Sequence, residues 1–213
     1  MRIAFWISRS GPAALVSHLD MHRAMGRALR RSGLPIAYSQ GFNPHIQLSF
    51  ALAVPVGIAF DENWMDVTMS RDVFPEEAYQ TLLPHMPPGV ELIAAVALEQ
   101  SGPTLMPLVT RAAYRIDGLS AQDNEALGTA LQILLAAEEY TIIKKTKSGR
   151  KPVNIRPMVH GFTPGEAPEM LLSAGSEGGL NPLLLLTNLL PGLTSQITLT
   201  RLVDVRTPLG MAK

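Results

Sequence analysis

The chain has no cysteine. That excludes disulfides, thiolate zinc sites, a thiol nucleophile and any cysteine-ligated iron–sulfur cluster held by this chain. Charged residues are sparse at 17%, and with 17 Pro and 17 Gly that argues against an all-helical bundle. No apolar run approaches the roughly 18 to 20 residues that cross a bilayer. The opening Ile3-Ala4-Phe5-Trp6-Ile7 is too short for a secretory leader and soon meets Ser8, Arg9 and Ser10, which predicts a cytoplasmic protein without a membrane role. Gly-x-Gly-x-x-Gly and Gly-Lys-Ser/Thr motifs are both missing, so ATP- or NAD-dependent chemistry is not expected, nor is any other cofactor.

What is present is a core. Hydrophobic residues make up 46% of 213 residues, and 17 Pro with 17 Gly punctuate the chain into short elements. Net charge is zero, but it is unevenly laid out. From Met1 to Gln47 six arginines (Arg2, Arg9, Arg23, Arg27, Arg30, Arg31) face Asp20 alone, and Lys144, Lys145, Lys147, Arg150, Lys151 and Arg156 form a second basic block with no acid in it. The compensating acids gather between Asp61 and Glu99. Two basic patches are therefore expected on a neutral protein.

Apolar residues on both faces of Ile3–Ile7 predict a central strand. Ser17 with Asp20 at the start, and Gly33 with Pro35 after the end, predict a helix over 17–31. Helical periodicity puts Leu15, Leu19, Met21, His22, Met25, Gly26, Ala28 and Leu29 on its apolar side and Asp20, Arg23, Arg27, Arg30 and Arg31 outward. Extended segments are expected at 35–38, 46–54 and 64–69, a helix at 75–83 and a strand at 90–97. After a connector at 99–107 the pattern repeats in kind: strand 112–116, helix 122–137, strands 140–145, 153–159 and 170–173, helix 182–189 and strand 196–205. The order predicts an α+β fold of two tandem ferredoxin-like (βαββαβ) halves, 1–100 and 110–213.

The densest polar segment is Tyr38-Ser39-Gln40-Gly41-Phe42-Asn43-Pro44-His45, a Gly/Pro-shaped loop between extended runs. Tyr38, Ser39, Gln40, Phe42, Asn43 and His45 are candidates to hold a base or small group there, although such residues also tie down turns through their own backbone. His18 and His22 stand i, i+4, as a metal pair would, but no third ligand is evident, and no metal site is expected. Were His18 and His45 to converge, they would be a general acid–base pair for metal-free RNA cleavage. Arg23, Arg27 and Arg30 on the helix and Lys144, Lys145, Lys147 and Lys151 on a hairpin turning at Ser148-Gly149 suit phosphate contacts. A protein-binding adaptor would instead need an exposed apolar patch, for which Met65, Met69, Leu105 and Met106 are the candidates.

Ser17-His18-Leu19-Asp20, Arg27 to Pro35, Tyr38 to His45, Leu48-Ser49-Phe50 with Pro55-Val56-Gly57, Lys147-Ser148-Gly149-Arg150-Lys151 and Ile155-Arg156-Pro157 together resemble the radical SAM-associated domain family. Asn154 departs from that pattern, standing where the family tends to have Asp. Members are fused to, or encoded beside, radical SAM proteins, so the resemblance implies a partner rather than a reaction. Radical SAM chemistry needs a three-cysteine cluster, which this chain cannot supply. The expected role is an accessory, RNA-binding or substrate-presenting module. The alternatives are a metal-independent endoribonuclease and a protein adaptor.

Overall fold

The computed structural model describes residues 1–146, 149–176, 178–193 and 195–203, without the side chains of Lys145 and Thr146. Its elements run β1 (Arg2–Arg9), α1 (His18–Ser32), β2 (Leu48–Phe50), β3 (Ile58–Thr68), α2 (Pro75–Leu82), β4 (Val90–Leu98), β5 (Arg111–Asp117), α3 (Ala121–Ala136), β6 (Thr141–Thr146), β7 (Gly149–Asn154), β8 (Val159–Thr163), β9 (Glu169–Ser173), α4 (Pro182–Leu189) and β10 (Gln196–Val203). This is the α+β class expected, with a large mixed sheet and four helices among the described residues. No described helix is long and apolar enough to cross a membrane.

The sheet has eight strands in the order β4-β1-β3-β10-β5-β9-β8, with β2 on β3, while β6 and β7 form a separate two-stranded ribbon. Every neighbouring pair is antiparallel except β3 with β10, which run parallel through Ile58↔Ile197 to Phe60↔Leu199. That parallel seam makes one sheet of the first-half and second-half strands. Strand alternation and the registers put Phe5, Met65, Phe60, Leu199 and Tyr114 on one face. Phe50, opposite Met65, shares it and carries the histidines of α1. On the other face of the second half, Arg115 bonds Asp61 and Asp117, and Thr198 bonds Asp117.

α1 forms where the caps place it. The Ser17 hydroxyl accepts from Asp20 N–H at 3.2 Å, and Gly33 closes the helix at φ 74°, a left-handed conformation that costs glycine nothing. Met21, Met25, Ala28 and Leu29 are buried, but Leu15 and Leu19 are 69% and 59% exposed. The apolar face thus begins one turn later than periodicity suggests.

Three other expectations change. The predicted extended segment at 35–38 and most of 46–54 make only the bridges Ile36↔Met69 and Tyr38↔Ile46 and the short β2, since Pro35 and Pro44 withhold amide donors. The strand expected at 64–69 starts at Ile58, because buried Glu62 and Asn63 have partners: Trp64 Nε1 donates to Glu62, and Asn63 bonds both the N–H and C=O of Leu52. The strand expected at 153–159 is broken by a 3-10 turn, Arg156–Met158. There the Arg156 guanidinium donates to the carbonyls of Leu135, Ala137 and Val159 at 2.9–3.1 Å, capping the C-terminus of α3. Arg156 is therefore a structural cation, not a free member of the second basic block.

Candidate functional site

α1 faces the segment after it across a cleft of about 500 Å³. The helix supplies His22, Arg23, Arg27 and Arg30, the opposite wall His45, Ile46 and Leu48. Arg23, Arg27 and Arg30 stand at i, i+4 and i+7, on successive turns of one helix side. Gly26 lies between them, so the backbone comes close to Ile46; a Cβ there would sit 3.7 Å from Ile46 Cδ1. Two groups of residues expected to be functional for separate reasons, the arginine stripe and the end of the Tyr38–His45 loop, meet in this cleft.

The loop is closed at its neck. Tyr38 bridges Ile46, Ser39 N–H donates to His45 C=O at 2.8 Å, and His45 N–H donates to the Ser39 hydroxyl at 3.0 Å. The Ser39 hydroxyl thereby accepts within the loop and keeps its own O–H to donate. Gln40, Asn43 and Phe42 are exposed at the tip, where Gly41 takes φ 133°. The Phe42 ring is fully solvent-exposed and Tyr38 is 40% exposed. A solvated aromatic ring forgoes the burial that ordinarily stabilises it by about 1.5–3 kcal/mol, so its place on a pinned loop suits a partner surface.

The three relevant histidines part company. His22 Nε2 lies 3.1 Å from Leu48 C=O and donates to it, tying α1 to β2. His18 packs edge-on against Phe50 at 5.3 Å between ring centres, with His22 at 6.2 Å from the same ring. Burial holds the His18 pKa below the usual imidazole value, helped by the nearby charges of His22 and Arg9. His18 does not line the cleft; His22 is the histidine that shares it with His45. Among the described residues no three His, Asp or Glu side chains gather as metal ligands.

Electrostatically the cleft is under-compensated. Asp20 pairs with Arg23 at 3.1 Å in an exposed i, i+3 bridge, and the Ser17 hydroxyl first, then Arg23, hold its carboxyl below the usual range. Arg31 donates to His85 C=O. Arg27 and Arg30 form no ion pair among the described residues. Arg27 acts on Asp20 only through its charge, and two guanidiniums without a close ion pair in a concave site are ready donors to phosphate or carboxylate oxygens.

The second basic surface lies on the β6–β7 ribbon and lines no part of the cleft. Its register sets Lys144 opposite Lys151 and Lys145 opposite Arg150. Like charges directly opposite each other destabilise a ribbon, a cost that a bound polyanion would relieve. Lys147 and the side chain of Lys145 lie outside the described residues.

Of the adaptor candidates, Met65, Met69 and Leu105 are 0%, 3% and 1% exposed. They are core, drawn in by β3 and by the connector that packs across the sheet, and Met106 alone does not make an apolar patch. The cleft residues that sequence reading did not single out are Leu19, Gly26, Ile46 and Leu48, and away from the cleft it did not separate Arg9 from the surface arginines. Arg9 is 2% exposed, its guanidinium 4.9 Å from the Phe60 ring centre and bonded to the carbonyls of Val16, Pro55 and Ile58, and burial lowers its pKa to about 10. Nothing in the spacing of Arg9 separates it from a surface arginine.

The model of a family described as an uncharacterized protein conserved in bacteria, DUF2344, matches residues 2–182. No curated protein matches the chain.

Proposed function

For this chain, which belongs to the DUF2344 family of bacterial proteins, we propose a role as an accessory module that binds RNA and presents it to a radical SAM iron–sulfur enzyme. The carrying observation is the α1 cleft, where Arg27 and Arg30 form no ion pair among the described residues, Arg27 feeling only the more distant charge of Asp20, beside His45 and a loop tipped by exposed Phe42. Phosphates of a single strand would lie against Arg23, Arg27 and Arg30, and an unstacked base would lie on Phe42 or Tyr38, with Gln40 and Asn43 in reach of its edge. The open cross-strand cations Lys144 and Lys151 would hold a more distant part of the same RNA.

The strand order supports the fold part of this reading. β4-β1-β3-β2 and β10-β5-β9-β8 are each the antiparallel order of a βαββαβ unit, with the β6–β7 ribbon inserted in the second. On this reading residues 1–100 and the described part of 110–213 are two ferredoxin-like halves. The radical SAM partner rests on the motif resemblance, and the absence of cysteine makes the division of labour chemical: the partner supplies the cluster and this chain the substrate grip.

The test is binding of fluorescently labelled single-stranded RNA to the purified chain at low and moderate salt, beside Arg27→Ala/Arg30→Ala. Binding that weakens steeply with salt, and by tenfold or more in the double variant, is the expected result. Equal binding by both proteins, or none by either, would overturn it.

A further inference from the structure

A second cavity lies elsewhere, at the seam of the two halves. It measures about 220 Å³ and is bounded by Leu52, Ala53 and Pro55 from the segment after β2, by Tyr114 of β5, and by Asn181 and Pro182 at the start of α4. Its far wall is held rigidly. Ala174 N–H donates to Thr110 C=O at 2.9 Å and Leu180 N–H to Ser173 C=O at 3.0 Å. Gly175, at φ 97°, presses so closely on Val109 C=O that no Cβ would fit.

Two polar groups at this cavity are unspent. Tyr114, one of the lining residues, is 3% exposed, and its hydroxyl has no hydrogen-bond partner among the described residues. Burial raises its pKa, so the phenol stays protonated and available to donate. Asn181, an exposed residue at the rim of the cavity, spends its carbonyl oxygen capping α4, accepting from Leu183 N–H at 2.9 Å, and keeps its amide N–H groups for solvent or a ligand. A buried tyrosine hydroxyl ordinarily finds a partner; here the cavity is where one would sit.

The lining also restricts the ligand. No Lys, Arg, Asp or Glu lines the cavity, so a full charge entering it would lose water without gaining a counter-charge. The α4 terminus does little to compensate, since Pro182 has no N–H and Leu183 N–H is taken by Asn181. The site is not catalytic through Ser173 either. Its hydroxyl pairs with His160 Nε2 at 2.8 Å, and its register opposite Arg111 places that side chain on the sheet face away from Tyr114.

We infer that this cavity binds a small uncharged heterocycle whose ring packs between Pro55, Leu52 and Pro182 and whose acceptor atoms meet Tyr114 and Asn181, a free nucleobase being the nearest chemical type. The inference stands apart from the RNA reading, because it uses none of the cleft residues.

The experiment is ligand-observed NMR titration of the full chain with uracil and with adenine, repeated on Tyr114→Phe. That variant keeps the ring and removes a hydroxyl with no partner, so it retains the wild-type fold. Saturable binding of either base, weakened about fivefold or more in Tyr114→Phe, is expected. As a check that does not depend on the variant, the four tyrosines are ring-labelled with ¹³C in the wild-type chain, and the Tyr114 signal should move saturably on titration, whether or not Tyr38 of the separate cleft also responds. Absence of saturable binding, equal binding by the variant, or a Tyr114 signal that does not move would each overturn the inference and leave a water-filled seam.

Discussion

Arg2 meets Asp66 side-on across β1 and β3, its Nε donating to Oδ1 at 3.2 Å and Nη2 to Oδ2, with the two side chains 8% and 4% exposed. Its remaining donors reach Glu99, Gly102 and Pro103 carbonyls at 2.7–3.1 Å, fastening the connector over the sheet. A buried pair of this kind contributes little net stability, but removing one partner strands the other charge. Asp66→Ala should therefore cost about 3–5 kcal/mol, while Arg2→Met with Asp66→Leu should cost much less than the two single changes added together. Urea unfolding of Asp66→Ala, of Arg2→Met and Asp66→Leu singly, and of the double variant measures both quantities.

His18 gives the protein an acid-side weakness. Its pKa is lowered in the fold, chiefly by burial against Phe50, so the unfolded chain takes up the proton first. Its contribution to stability is complete above about pH 6.5, the ordinary histidine value, and is lost as pH falls from there through the lowered folded value. His160, lowered by burial and then by Arg111 and Arg156, acts in the same direction. Unfolding midpoints at pH 7.5, 6.5 and 5.5 should fall in that order, and His18→Phe should flatten the decline.

Much of the fold was readable because its signals are local. The Ser17 and Gly33 caps, Pro75 and Pro182 at helix starts, and the alternation in Ile3–Ile7 each depend on neighbouring residues, and the elements stand within a residue or two of expectation. What sequence did not show depends on long-range partners. Glu62 and Asn63 look like a strand break until Trp64 and Leu52 are seen to satisfy them. Arg156 looks like a surface cation until it is found on the α3 carbonyls. The cleft follows the same rule: its arginines and its loop were both identifiable, but that His45 meets them alongside His22 rather than His18 follows only from how β2 docks on α1.

Gly175 is the least replaceable glycine described. Its φ of 97° disfavours any other residue, and an added Cβ would stand 2.1 Å from Val109 C=O, a backbone atom that cannot swing aside. Gly175→Ala should destabilise the protein by about 1–3 kcal/mol or more. Gly149, also at positive φ but with open space around it, makes the control: Gly149→Ala should cost less. Thermal unfolding of the two variants against wild type checks the ranking.

Phe42 separates an RNA-gripping loop from a merely protruding one. Its ring contributes nothing to the core, being fully exposed, and the neck of its loop is closed by Ser39 and His45 without its help. Phe42→Ala should leave the unfolding midpoint unchanged. On the RNA reading it removes a stacking platform worth about 1–3 kcal/mol per base, which corresponds to roughly five- to 150-fold weaker binding of single-stranded RNA. Loss of stacking and loss of phosphate contacts also differ in salt dependence. The Phe42 variant should bind more weakly with the same dependence on salt, whereas Arg30→Ala should bind more weakly with a shallower one, by about one counterion. If Phe42→Ala binds as the wild type does while Arg30→Ala does not, the cleft holds phosphate and the loop serves some other contact.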